Sequence, residues 1–301
     1  MPLSDRDLVE RFTITDGRRF RLAGHDPAGA GAKGLKKSAA ARLARGLEQL
    51  QEAQRTLYAQ NQWALLLIFQ AMDAAGKDST IKHVLSGVDP HGVQIYSFKQ
   101  PSAEELDHDF LWRTSRCLPE RGRIGIFNRS YYEETLVVRV HQEYLQGQHL
   151  PLAVVTPRIW QERFEDINNH ERYLTRNGIA IRKFFLHVSK DEQRQRFLDR
   201  LDEPEKHWKF SIGDVRERAQ WDHYQRAYEE MIRHTATPHA PWIVVPADRK
   251  WFMRLVVAAV IVDALEGLGL AYPTIDLARR QDIVEARRAL EAEPRGGAGK
   301  T

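Results

Sequence analysis

The residues with the most chemical promise lie in "FQAMDAAGKDST" (69–80). A phosphate-binding loop has the pattern G-x-x-x-x-G-K-[ST] between a strand and a helix. Successive backbone N–H groups and a lysine there cradle anionic oxygens. Gly76 and Lys77 match the pattern, Ala71 stands at the first glycine position and Asp78 at the Ser/Thr position. In such a loop Ala74, Ala75, Gly76 and Asp78 line the phosphate, Lys77 adds a point charge, and Ser79 and Thr80 bring hydroxyls one or two places late. Asp73 is the unusual member, because a carboxylate inside an anion cradle needs a cation beside it. Mg2+, with Mn2+ as the alternative, prefers carboxylate, water and phosphate oxygens, which makes Asp73 the candidate metal ligand. The same spacing also suits a plain strand-to-helix turn capped by Asp78 or Ser79.

A second group follows in "RIGIFNRSYYEETLVVRV" (123–140). Asn128 and Arg129 end a strand candidate, so Arg129 is expected to reach the crevice where α/β sheets bind ligands. Its forked guanidinium suits phosphate oxygens; the competing reading is a surface ion pair. Glu133 and Glu134 read as acidic residues favoured by a helix N-terminus. Basic residues accumulate toward the same edge: Lys82, Lys99, Arg113, Arg116 and Arg139, then Arg196, Arg200, Lys206 and Lys209. Together with the loop they point to a long anionic ligand rather than a single nucleotide. Turn formers, basic residues and Trp208 mix in "RLDEPEKHWKFSIGD" (200–214), the composition of a lid, placed at about 196–220. "DHDF" (107–110) lacks zinc-type spacing and reads as structural. A further Gly-Lys-Thr closes the sequence at 299–301, but Pro294 holds its first glycine position and no helix follows, so it reads as tail.

The elements needed to position these residues are legible as apolar runs. Strand candidates are 64–69, 93–98, 124–127, 180–188 and 242–247. Helical spacing covers 35–61, 79–87, 103–118, 131–145, 157–177, 190–201, 215–235 and 250–268. Short apolar strands alternating with helices argue an α/β fold with a mainly parallel five-stranded sheet. The Gly/Ala-rich residues 1–34 read as a flexible arm, 35–270 as one domain and 271–301 as a partly helical, partly disordered tail.

Composition sets outer limits. The 301 residues hold 45 Lys+Arg against 41 Asp+Glu, a net charge of +4, which permits a polyanionic partner without demanding one. No nucleic-acid-binding motif stands out. One cysteine, Cys117, excludes an internal disulfide and suits a reducing compartment. The N-terminal 20 residues carry no apolar signal core, and "LVVAAVIVDAL" (255–265) is too short to span a bilayer. The expectation is a cytoplasmic protein with no membrane and no nucleic-acid partner.

Six separated stretches, in order, carry a family resemblance: "MDAAGKDSTIKH" (72–83), "HDFLWR" (108–113), "NRSYYEE" (128–134), "FFLHVSKDEQRQRF" (184–197), "HWKFS" (207–211) and "HTATPHAPW" (234–242). Over about residues 35–268 the chain resembles the polyphosphate kinase type two family, phosphate-loop enzymes that use inorganic polyphosphate. The resemblance implies a three-layer α/β/α sandwich like that of thymidylate kinase, a helical lid, and Mg2+-dependent phosphoryl transfer between polyphosphate and nucleotides. The family's loop residues map to Asp73 and Lys77, its second-motif arginine to Arg129 and its lid arginine to Arg200. Many members carry Asp where this chain has Asn128. The Asn form followed by "YYEE" resembles the third class, which phosphorylates AMP and ADP, and it moves metal ligation toward Asp73. The implied partners are polyphosphate, adenine or other purine nucleotides, and further copies of the chain in a dimer or tetramer. The competing functions are an ATP-dependent nucleoside monophosphate kinase and a non-catalytic phosphate-loop protein binding nucleotide or nucleic acid.

Overall fold

The computed structural model describes residues 3–29 and 32–293. Its strands are β1 (Thr13–Ile14), β2 (Ala64–Gln70), β3 (Val93–Ser97), β4 (Ile124–Asn128), β5 (Ile179–His187) and β6 (Trp242–Pro246), in the sheet order β1-β6-β5-β2-β4-β3. All neighbouring strands are parallel except β1, which sets Thr13 opposite Ile243 in an antiparallel pair. β2 is buried at every position, as its unbroken apolar run requires of a central parallel strand.

The helices are α1 (Asp5–Phe12), α2 (Ala39–Gln60), α3 (Lys77–Val84), α4 (Ala103–Leu106), α5 (Trp112–Ser115), α6 (Val137–Val140), α7 (Glu143–Gln146), α8 (Ile159–Arg176), α9 (Lys190–Asp202), α10 (Ile212–Ala219), α11 (Trp221–Thr235), α12 (Lys250–Glu266) and α13 (Leu277–Ala292). α1, α2 and α3 pack against α12, and α8 packs against β5 and α11. Lys183 of β5 reaches Glu171 of α8, and its neighbour Arg182 alternates to the opposite face of the sheet, the β5 face left for α12. The arrangement is three-layered. α12 is buried on nearly all sides, which explains its apolar sequence without a membrane. No described helix is long and apolar enough to cross one.

The structure departs from the sequence reading in three places. The sheet has six strands rather than five, because β1 adds to the β6 edge. The N-terminal stretch read as a flexible arm is largely folded. Ser4 and Asp7 form a reciprocal cap on α1, whose Leu8 and Phe12 lie in the core, and Leu22 N–H donates to Glu229 at 2.8 Å. Several long helices are interrupted. Between α4 and α5 the Asp109 carboxylate accepts from Leu111 N–H at 2.9 Å and His108 stacks on Trp112. Residues 131–135 form a tight 3-10 turn before α6, and α10 and α11 break at Gln220. The tail carries α13 with every residue exposed; the terminal Gly-Lys-Thr and Pro294 lie outside the described residues.

Candidate active site

The loop runs from the end of β2 into α3. Gly76 has φ +104°, and Ala74 also takes a left-handed conformation at φ +61°. An α9 arginine accounts for how the loop holds that shape. Ser189 caps α9, and one turn further Gln193 and Arg196 face the loop. Gln193 donates to the Asp73 carbonyl at 2.9 Å, and Arg196 to the Ala74 and Ala75 carbonyls at 3.1 and 2.7 Å. Arg196 also reaches the Ala247 carbonyl at 2.6 Å and the Glu192 carboxylate at 2.8 Å. With its carbonyls occupied from behind, the loop is free to offer N–H groups to an anion.

Lys77 is buried, and its Nζ donates to the Ala71 carbonyl at 2.9 Å. Burial lowers its pKa, reinforced by Arg129 and opposed by Asp73, Glu133 and Asp78. At the end of β4, Arg129 adopts φ +64° and its N–H donates to the Phe69 carbonyl at 3.0 Å. Its guanidinium meets Asp73 at 2.9 Å and Glu133 at 3.4 Å. Glu133, ahead of Asp73, raises the Arg129 pKa against the opposing cost of burial. Burial in turn pushes the Glu133 carboxyl up, against the pull of Arg129 and Lys77. Asn128 Nδ2 donates to Asp78 at 2.6 Å, leaving Asn128 Oδ1 buried without a partner. A cavity of about 390 Å³ opens beside Arg129, lined among others by Phe98, Lys99, Arg113, Glu134 and Tyr144. A larger groove of about 710 Å³ between α1, α2 and α12 contains none of these residues.

The structure therefore brings Asp73, Lys77, Asp78, Asn128 and Arg129 together, with Lys99 and Arg113 on the adjoining cavity. Arg113 donates to the Lys99 carbonyl at 2.7 Å. Ser79 bonds back to the Gly76 carbonyl at 3.0 Å, and Thr80 turns into the core toward the Met253 sulfur at 3.6 Å. Arg200 meets Asp214 of α10 at 3.2 Å, and Lys206 meets Glu203 at 2.5 Å. Arg116 lies over Trp112 and Arg139 is paired with Glu230, so neither lines the cavity. Lys82 is exposed on α3, and the Lys209 side chain lies outside the described structure. The sequence reading missed Glu133 as a partner of Arg129 and counted Arg196 with a basic strip. The spacing of Glu192, Gln193 and Arg196 behind a Ser cap was the available signal for one polar face of α9.

A parallel sheet with a phosphate loop at the end of a central strand, and an arginine from the neighbouring strand end above it, defines a phosphate-loop phosphotransferase. The sequence model described as polyphosphate kinase 2 matches residues 33–270, and the chain belongs to that family. With the family comes its reaction, transfer of a phosphoryl group between polyphosphate and a nucleotide. An ADP-polyphosphate phosphotransferase of Rhodopseudomonas palustris is 55% identical over 81% of this chain and 85% of its own. An AMP/ADP-polyphosphate phosphotransferase of Meiothermus ruber is 44% identical over 92% of this chain and 100% of its own. The crystal structure of polyphosphate kinase 2 from Arthrobacter aurescens superposes with a TM-score of 0.83 at 41% identity, over 94% of this chain and 98% of that one.

Proposed function

We propose that this protein transfers the terminal phosphoryl group of inorganic polyphosphate to AMP and to ADP, reversibly and with Mg2+. The observation that carries the reading is Arg129, which stands between the phosphate loop and the 390 Å³ cavity. Donor phosphates lie on the amides of Ala74, Gly76, Lys77 and Asp78 and on the Lys77 ammonium, and the acceptor nucleotide fills the cavity with its phosphate toward Arg129. Transfer between phosphates passes through a loose, in-line transition state, so positioning and charge neutralisation are the main demands. The acceptor oxygen is already anionic at neutral pH and needs no strong general base.

A divalent cation fits the oxygens present. Asp73 is part-exposed at the loop mouth, Asp78 is exposed, and Asn128 Oδ1 is a buried acceptor with no partner. One or two carboxylates are what Mg2+ takes when phosphates and water complete its shell. Bound there, it would screen the phosphate charge during transfer. Asp73 and Asn128 would hold it, while Arg129 and Lys77 orient the phosphates. Residues 196–220 act as the lid, with Arg200 exchanging Asp214 for phosphate. Lys99 and Arg113 add positive charge to the acceptor cavity, and Lys206 extends the basic path for the polymer.

The name of the Meiothermus ruber relative supports the AMP-and-ADP reading, and that of the more similar Rhodopseudomonas palustris relative favours ADP alone. Purified protein with Mg2+, long-chain polyphosphate and AMP, followed by chromatography, separates them. ADP and then ATP appearing with no ATP added establishes both acceptors. Turnover from ADP but not AMP selects the narrower reading. No product from either excludes polyphosphate as donor. The working form is placed in the cytoplasm, in keeping with a lone, part-buried Cys117, and as a homo-oligomer, in keeping with exposed Leu277, Ile283, Val284 and Leu290 on α13.

A further inference from the structure

The turn that carries Arg129 is tied to a buried polar network that touches no part of the phosphate loop. Lys183, in the middle of β5, donates to Glu171 Oε2 at 2.6 Å, to the Tyr132 hydroxyl at 2.8 Å and to the Thr235 carbonyl at 2.8 Å. Its three ammonium protons are thereby used. Glu171 Oε1 accepts from the Tyr131 hydroxyl at 2.9 Å and from Tyr132 at 2.8 Å. Both charged side chains are 0% exposed. The Trp242 indole completes the shell, donating to the Thr235 hydroxyl at 2.9 Å.

A buried ion pair seldom stabilises more than well-packed apolar side chains of the same volume. Its distinctive property is fixed geometry, because each partner is held by several directional bonds. Arg129, two residues before Tyr131, is where fixed geometry is needed. Its left-handed backbone persists only where the surroundings over-determine it. Ser130 links the two regions: its hydroxyl accepts from Tyr132 N–H at 3.1 Å and bonds Gln70, at the end of β2, at 3.1 Å.

We propose that Tyr131, Tyr132, Glu171 and Lys183 are positioning residues for Arg129, setting where its guanidinium stands relative to the phosphate loop. The proposal rests on the reading of Arg129 as a phosphate-binding group. Loss of the two hydroxyls frees the turn while the rings still fill the core.

The test is a cycle between Y131F/Y132F and Arg129→Lys in the full-length protein. Turnover is measured with polyphosphate, ADP and Mg2+, alongside melting temperature. With Arg129 present, Y131F/Y132F should lower kcat by about 10- to 100-fold, the scale of a misplaced group, with little change in KM for polyphosphate. In the Arg129→Lys background the same change should move kcat by less than about twofold, the limit of independent behaviour, while the loss of melting temperature persists in both. Equal losses in the two backgrounds, or a lowered melting temperature with unchanged kcat, would overturn the proposal and leave the network purely structural. Should the double variant fail to fold, Tyr131→Phe, which keeps the Lys183–Glu171–Tyr132 contacts, is put through the same cycle. The Arg129 Nε–H NMR resonance, assigned with Arg129→Lys, gives an activity-independent reading. It should shift in the tyrosine variants, and an unmoved resonance overturns positioning. If wild-type protein gives no transfer from polyphosphate, the functional reading fails and this resonance alone decides the positioning role.

Discussion

The Asp73 carboxylate lies 2.9 Å from the Arg129 guanidinium across the mouth of the phosphate loop. Lys77 is likewise already engaged within the protein, bonding to the Ala71 carbonyl at 2.9 Å. On the proposed function, phosphate would take Arg129 away from Asp73 and leave the carboxylate for a cation, so that one ion pair would couple phosphate binding to metal binding. Asp73→Asn is expected to lower turnover by about 10²-fold, the scale of losing one electrostatic stabiliser, and to raise the Mg2+ concentration for half-maximal rate. Initial rates across a Mg2+ series check this; an unchanged Mg2+ dependence would remove Asp73 from metal binding.

Lys77 titrates below its ordinary value of 10.5 because it is buried, with Arg129 adding to the effect. Only the charged form holds phosphate, so activity is lost as pH rises through this lowered value. The alkaline limb of kcat/KM, which reports the free enzyme, should therefore fall earlier than an ordinary lysine would allow. Lys77→Arg should move the limb upward among whatever activity remains. A limb in the same place for both proteins would assign it to another group.

His187, at the end of β5, is held by burial at a pKa of about 4 against 6.5 when free. Between those values the unfolded chain binds more protons than the folded one, so stability rises with pH across this window and is complete above about 6.5. On acidification through the window it should lose about 3 kcal/mol from this one group. Urea midpoints at pH 7 and pH 5 should differ less in His187→Gln than in wild type. An equal difference would mean that His187 does not carry the effect.

Removal of residues 1–14 should cost about 3–6 kcal/mol, because Leu8 and Phe12 leave the core. Removal of the chain after Tyr272 should change the unfolding free energy by no more than about 0.5 kcal/mol, since no α13 residue is buried. Denaturation of the two truncated proteins tests both statements. Equal stabilities would deny α1 its place in the core.

The parallel strands are legible because each is a short apolar run long enough to show against polar flanks. The loop residues are legible because phosphate binding places them consecutively. β1 escapes notice since two residues carry no periodicity, and α1 because the glycines that follow dominate the local composition. Glu133 looks like a helix-capping acid by sequence; only the left-handed turn at Arg129 brings it under the guanidinium. Arg196 belongs to the loop through carbonyls more than 100 residues away, a contact that no local pattern encodes. The helix read as continuous over 103–118 breaks where the Asp109 side chain bonds nearby backbone, and the one read over 131–145 is interrupted where Leu136 and His141 leave helical backbone geometry.

β1 is only a pair of residues, yet it determines what the molecule shows its neighbours. Without it, β6 would present the unpaired backbone of "WIVVP", buried at every position, as the outermost strand on that side of the sheet. Such a margin is a template for strand addition by other chains. Thr13 and Ile14 pair antiparallel with the first two residues of that margin, Ile243 and Trp242. The N-terminal segment thus caps part of a sheet edge as well as contributing to the core, and its removal should make the folded protein more prone to self-association.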